Sequence, residues 1–316
     1  MGPMMTLPRF STLAKGTLSF AVPSLRTVHG YDNPLGTASA ESCYSIFLRH
    51  LTLLRRAGGM SGVPRVVAEI GPGSSIGVGL AALLAGSERY YGLDVVDFTN
   101  PAVDVAILGA IAGLFRHRAP IPAAGNHSRR FPDLDSYSWP DWLDLGPSKE
   151  WESKVAIVRK DIASRSERLV KISAPWTDRA VIKGASVDWI ISQSVLEHVD
   201  ELDGAYAAMA QWLKPGGYAS HLIDFSSHRM TDEWNGHWAI NDGIWHLMRG
   251  KRPYLINRCS YAEHLKIAAA HGLTPITEMR NKRFDGLIPE DFAPRFRKVS
   301  DEDARSMMVF VIFCRM

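Results

Sequence analysis

Apolar and polar positions along the 316-residue chain follow two periods in turn, and the changeovers mark its elements. Over residues 39–56, Tyr44, Phe47, Leu48, Leu51 and Leu54 recur at three and four residues. That is the spacing of an amphipathic helix, here stopped by Gly58-Gly59 and placed where it can close over a ligand. Residues 66–70 are a short apolar run, read as a buried strand. The helix after it starts at Ser74 or Ser75, either of which can cap it, and buries Ala81, Ala82, Leu83 and Leu84. Residues 90–95, 169–173, 187–192 and 218–225 read as further strands. Residues 201–213 read as a helix terminated by Pro215-Gly216-Gly217, and 261–270 as one ending at Gly272. Residues 275–279 and 307–314 close the chain as a strand pair. Strands alternating with helices before such a pair predict an α/β fold, a doubly wound, mostly parallel seven-stranded sheet with one antiparallel edge strand.

Punctuation sets the domains. Residues 1–38 carry Pro3, Pro8, Pro23 and Pro34 and read as a loosely ordered N-terminal arm; 39–316 read as one domain. The stretch 99–167 separates the second strand from the third. It holds an apolar helix near 101–116, a Pro- and aromatic-rich loop, and a polar helix near 149–165. A structureless loop of that length is improbable, so it reads as an inserted cap or lid, or as a surface that joins two copies in a homodimer.

Composition changes this picture little. Apolar content of 46% and charged content of 22% are those of a globular chain, and a net charge of +3 argues against nucleic acid. The basic clusters at 249–252 and 280–283 leave an anionic substrate open. Cys43, Cys259 and Cys314 are odd in number and lack metal-ligand spacing, which points to a reduced, cytoplasmic chain with neither disulfide nor bound metal. No apolar run reaches the roughly 20 residues of a membrane span, and no secretory signal is expected.

The chemistry concentrates in two segments. Glu69-Ile70-Gly71-Pro72-Gly73 turns out of the first strand, and the second strand ends in Asp94. A Gly-x-Gly turn beside a strand-end carboxylate describes a nucleotide pocket in which the acid meets ribose hydroxyls. Gly71, Gly73 and Gly77 alone are compatible with a dinucleotide, and an NAD(P)-dependent oxidoreductase is one alternative. Two details favour another ligand. Glu69 would repel a pyrophosphate and attract an ammonium group, and Pro72 lacks the N–H that a phosphate would use. A cationic, adenosine-bearing ligand fits, which is S-adenosylmethionine.

Further along, Ser192-Gln193-Ser194-Val195-Leu196-Glu197-His198-Val199 and Trp212-Leu213-Lys214-Pro215-Gly216-Gly217 follow in order. With these four segments, residues 64–225 resemble the class I S-adenosylmethionine-dependent methyltransferases. The stretch from Ser220 to His228, with Trp234 to Trp238, is similar to a bacterial branch found with polysaccharide and secondary-metabolite genes. The resemblance implies that Gly71, Pro72, Gly73 and Ser75 line the methionine and ribose portions. It implies Glu69 on the amino group, Asp94 on the ribose, Val95 and Trp176 by the adenine, and Ser192 and Gln193 beneath the reacting centre. A non-catalytic protein of the same fold is the other alternative.

The acceptor side begins at the end of the fifth strand. Asp224, His228 and His237 are the candidate catalytic residues, because histidine titrating near neutrality suits removal of a hydroxyl proton. The same three could hold a metal, although no ligand motif is complete. The Asp/Asn-Pro-Pro-aromatic turn of amino-methylating DNA enzymes is absent after the fourth strand. A hydroxyl oxygen on a small molecule or saccharide is therefore the expected acceptor.

Overall fold

The computed structural model describes residues 7–26, 39–123, 131–145, 148–176 and 178–316. Its sheet has seven strands in the order β3-β2-β1-β4-β5-β7-β6. They are β1 (Val66–Ile70), β2 (Arg89–Leu93), β3 (Val170–Ser173), β4 (Val187–Gln193), β5 (Leu213–Asp224), β6 (Leu273–Lys282) and β7 (Ser306–Arg315). β1 to β5 pair in parallel, and β7 is antiparallel to both of its neighbours. The antiparallel strand thus lies inside the sheet, not at its edge as expected. The reason is burial: β7 is apolar on both faces, whereas β6 carries Thr, Glu, Arg and Lys and forms the rim.

Alternation along the strands divides the core in two. Met308, Phe310 and Ile312 join Val67, Tyr90, Trp189 and Leu222 on one face, while Val309, Val311 and Phe313 join Ala68, Ile190 and Ile223 on the other. The first face is covered by α2 (Ala40–Arg56) and α3 (Gly77–Ala85), with α4 (Pro101–Arg116) and α5 (Lys149–Ser164) packed outside α3. The second face carries α6 (Leu202–Trp212) and α8 (Tyr261–Ala270), and the chain also forms α7 (Asp242–Arg249) and α9 (Asp301–Arg305). The stretch 99–167 is therefore mostly an outer helical layer.

α3 starts at Gly77, later than either serine would set it. Ser75 Oγ accepts from the Gly77 N–H at 3.3 Å, and Asp104 on α4 accepts from the Ile76 N–H at 3.1 Å, a negative charge at the positive end of the helix. A Cβ on Gly77 would lie 2.4 Å from Cys43 Sγ, so this glycine serves the contact between α2 and α3.

The N-terminal arm is partly built. Residues 1–6 and 27–38 lie outside the described residues, but α1 (Phe10–Leu18) is a helix docked on α7. Gly16 makes the fit, since a Cβ there would stand 2.1 Å from Met248 O. The Arg9 N–H donates to Met230 O at 2.8 Å, and the Lys251 N–H donates to Ser19 Oγ at 2.8 Å. No helix among the described residues is long and apolar enough to cross a membrane.

Candidate active site

Strand order reverses between β1 and β4, and the crevice beyond their carboxyl ends is where open α/β sheets take ligands. A cleft of about 1630 Å³ occupies that place. Ordinary ligand pockets measure roughly 300–1,000 Å³, so this one has room for two reactants.

One half is built for a nucleoside. Gly71 and Gly73 both have φ +71°, and a Cβ on Gly71 would stand 2.5 Å from Val195 Cγ2. The Gly71 N–H donates to Leu93 O at 2.7 Å, which ties the loop to β2. Asp94 Oδ2 accepts from the Gly73 N–H at 3.1 Å and Oδ1 from the Val95 N–H at 2.7 Å. The Val96 amide also approaches the carboxylate, which leaves at least one lone pair for a ribose hydroxyl. Burial raises the Asp94 pKa, opposed by these amides. Ile70, Val95, Phe98 and Trp176 supply apolar wall, and Pro72 sits in the same lining.

Four expected residues do not line this cleft. Glu69 is buried and accepts from Tyr90 O–H at 2.7 Å. Burial pushes its pKa up to about 8, which weakens its pull on an ammonium group. The argument against a pyrophosphate then rests chiefly on the missing N–H of Pro72. Ser75 is fully buried and accepts from the Gly77 N–H. Ser192 is fully buried, its Oγ 2.8 Å from His221 Nδ1. His237, with 2% of its surface exposed, stands behind the wall and not in it. Burial, then Arg258, hold its pKa well below the usual range, which counts against His237 as the base.

Gln193 does line the cleft, and sequence reasoning missed what aims it. The Trp189 N–H donates to Ser220 Oγ at 2.9 Å, and Ser220 Oγ lies 2.8 Å from His50 Nδ1. Gln193 Oε1 can only accept, so the His50 proton is on Nε2 and the Ser220 proton goes to His50 Nδ1. His50 gives its Nε2 proton to Gln193 Oε1 at 3.0 Å. The Gln193 amide nitrogen remains to face the cleft with its donors. Burial pushes the His50 pKa down to about 4, so the relay is neutral at ordinary pH.

The other half of the cleft has acid–base character. Asp224 ends β5, and its Oδ2 lies 3.4 Å from His228 Nε2 while Oδ1 accepts from the Ser226 N–H at 2.8 Å. Burial alone would raise the Asp224 pKa, but His228 and Ser226 hold it below the usual carboxylate range. The His228 side chain is 29% exposed and borders the cleft. Beside it is His198, with ring centroids 4.9 Å apart. The turn bearing Glu197 and His198 is clamped by Asn257, whose amide donates to Leu196 O and Val199 O at 2.8 and 3.0 Å. Among the described residues, Glu197, His198 and His228 bring potential metal-ligand atoms within 4.8 Å of one another.

A family model described as a methyltransferase domain matches residues 152–220, from α5 into β5. No curated protein sequence matches the chain significantly. Among solved structures, the chain is similar to the CurJ carbon methyltransferase at 13% identity, TM-score 0.40, covering 88% of this chain and only 55% of that one. It is similar to a S-adenosylmethionine dependent methyltransferase from Mesorhizobium loti at 12% identity, TM-score 0.41, covering 88% and 98%. A geranyl diphosphate C-methyltransferase from Streptomyces coelicolor A3(2) gives 15% identity, TM-score 0.43, covering 85% and 76%. Scores this low carry nothing about the site. The matched stretch includes Gln193 on one side of the switch point and ends within the strand that leads to Asp224, and the glycine turn with Asp94 completes the crevice on the other; residues 152–220 carry the sequence of a methyltransferase domain.

Proposed function

We propose that this chain is a class I S-adenosylmethionine-dependent methyltransferase and acts on a hydroxyl oxygen of a small molecule or sugar. The observation that carries the reading is the Asp224–His228 pair facing the same cleft as the Gly71–Gly73 turn. Bound S-adenosylmethionine supplies a methyl group on a positively charged sulfur that leaves as a neutral thioether. The chain's own work is to hold and orient. Gly71, Pro72 and Gly73 let backbone approach the methionine and ribose, Asp94 takes the ribose hydroxyls, and Val95, Phe98 and Trp176 flank the base. Gln193 offers amide donors. Asp224 fixes the His228 ring through Nε2, so Nδ1 carries the lone pair that receives the hydroxyl proton. Residues 39–316 act as the catalytic domain. The 99–167 layer caps it at Phe131, which borders the cleft.

Calorimetry and turnover test the two halves separately. Asp94→Ala should abolish S-adenosylhomocysteine binding. His228→Ala should keep that binding and slow turnover by roughly 10²–10⁴, the range of a positioned general base. Full-rate turnover by His228→Ala refutes the base assignment.

A further inference from the structure

Glu197 is 3% exposed, and neither of its carboxylate oxygens makes a hydrogen bond of good geometry, though the amides of Glu197 itself and Asp224 approach it. No lysine or arginine among the described residues pairs with it. An unpaired buried carboxylate is costly unless it is neutralised or binds a cation. The next residue, His198, has its Nδ1 3.0 Å from Tyr254 O. A carbonyl only accepts, so Nδ1 carries the proton and the lone pair sits on Nε2. That is the arrangement found behind metal-bound histidines, where a backbone carbonyl fixes the tautomer. His228 is held in a similar way by Asp224.

We propose that Glu197, His198 and His228 form a binding site for one first-row divalent cation at the acceptor end of the cleft. Two imidazoles with a carboxylate suit Zn²⁺, Co²⁺ or Ni²⁺ and not Mg²⁺. The donor atoms lie within 4.8 Å of one another. A four-coordinate ion with bonds of about 2.1 Å holds its ligands about 3.4 Å apart, so side-chain closure on the scale of one rotamer adjustment completes the site. The cleft leaves a coordination position open to an acceptor oxygen. There the cation raises the acidity of a bound hydroxyl, its proton leaving to solvent as the O–CH₃ bond forms and the S–CH₃ bond breaks, and His228 then acts as ligand instead of base. The inference rests on the oxygen-acceptor reading only for this chemical role, not for the binding.

The test titrates Co²⁺ into chelator-treated full-length protein and follows its ligand-field absorption, with Zn²⁺ as competitor. One Co²⁺ per chain is expected, displaced by Zn²⁺ and indifferent to Mg²⁺. Loss of a direct ligand in His198→Ala or His228→Ala should weaken binding by more than the roughly 10–100-fold that an outer partner is worth. His271→Ala, in the exposed His271–Asp203 pair, should leave it intact. S-adenosylhomocysteine binding by each variant shows that it is folded. Absence of stoichiometric Co²⁺ binding by the unaltered protein, or equal binding by folded His198→Ala and His228→Ala, overturns the site. A protein that binds S-adenosylhomocysteine but no Co²⁺ refutes the cation site alone and leaves methyl transfer standing.

Discussion

Replacing Ser220 with alanine cuts the hydrogen-bond relay at its centre without touching the cleft. Two fully buried groups lose a partner, the Trp189 N–H and His50 Nδ1. An orphaned buried group costs about 1–3 kcal/mol, so a loss of about 2–6 kcal/mol is expected. A chain of this size shifts by roughly 2 °C per kcal/mol, which puts the fall in Tm at about 4–12 °C. Any destabilising core mutation would give that much, so the decisive readout lies elsewhere. Without the Ser220 proton, His50 is free to carry its own on Nδ1, and Gln193 is free to turn its oxygen toward the cleft. One hydrogen bond to a reactant, about 0.5–1.5 kcal/mol, then weakens by about 2- to 12-fold. Isothermal titration with S-adenosylhomocysteine, and the KM for the acceptor once one is found, measure this. Ser220→Thr restores the hydroxyl and should restore the affinity even where Tm stays low. A Ser220→Ala protein with lowered Tm but unaltered affinity and KM would refute the directional relay and leave Ser220 as core packing.

Gly71→Ala must adopt φ +71° and place a Cβ 2.5 Å from Val195. The backbone alone costs about 1–2 kcal/mol, and nucleoside binding should fall below detection in calorimetry while far-ultraviolet dichroism persists. Burial pushes the His264 pKa down to about 3, so the folded state binds fewer protons there than the unfolded chain and stability is lost as pH falls below about 6.5. By pH 5 this amounts to about 2 kcal/mol. His264→Gln should therefore be less stable than the parent at pH 7 in urea, with the deficit shrinking by that amount at pH 5; a constant deficit refutes the buried neutral histidine.

The parts of the fold readable in sequence are those whose signals are local. α8 falls where periodicity puts it because Ser260 and Glu263 make a capping box at its start and Gly272 follows its end. β1, its glycine turn and Asp94 are equally local. The start of α3 is only partly so, since Ser75 meets the Gly77 N–H but the Ile76 N–H goes to Asp104 in another helix. The inner position of β7 was legible in its unbroken apolar run beside the alternating β6, but strand counting alone placed it at the rim. Glu69 fails for a similar reason: Tyr90, which neutralises its role, sits on the next strand, and only the register pairing Val67 with Tyr90 brings them together. Glu197 and His198 are adjacent in sequence, but His228 joins them only through the β4–β5 pairing.

The docking of α1 on α7 has a consequence for the order of events during synthesis. Nine residues of helix are too few to persist alone in water, and the surface that receives them is translated more than two hundred residues later. At about 5–20 residues per second the amino-terminal segment waits roughly 10–45 s on the ribosome before it can settle. Arg9, which borders the cleft, arrives with it. A segment made before the sheet is thus settled only after most of it, and the wall it completes closes only after the sheet's first five strands have emerged.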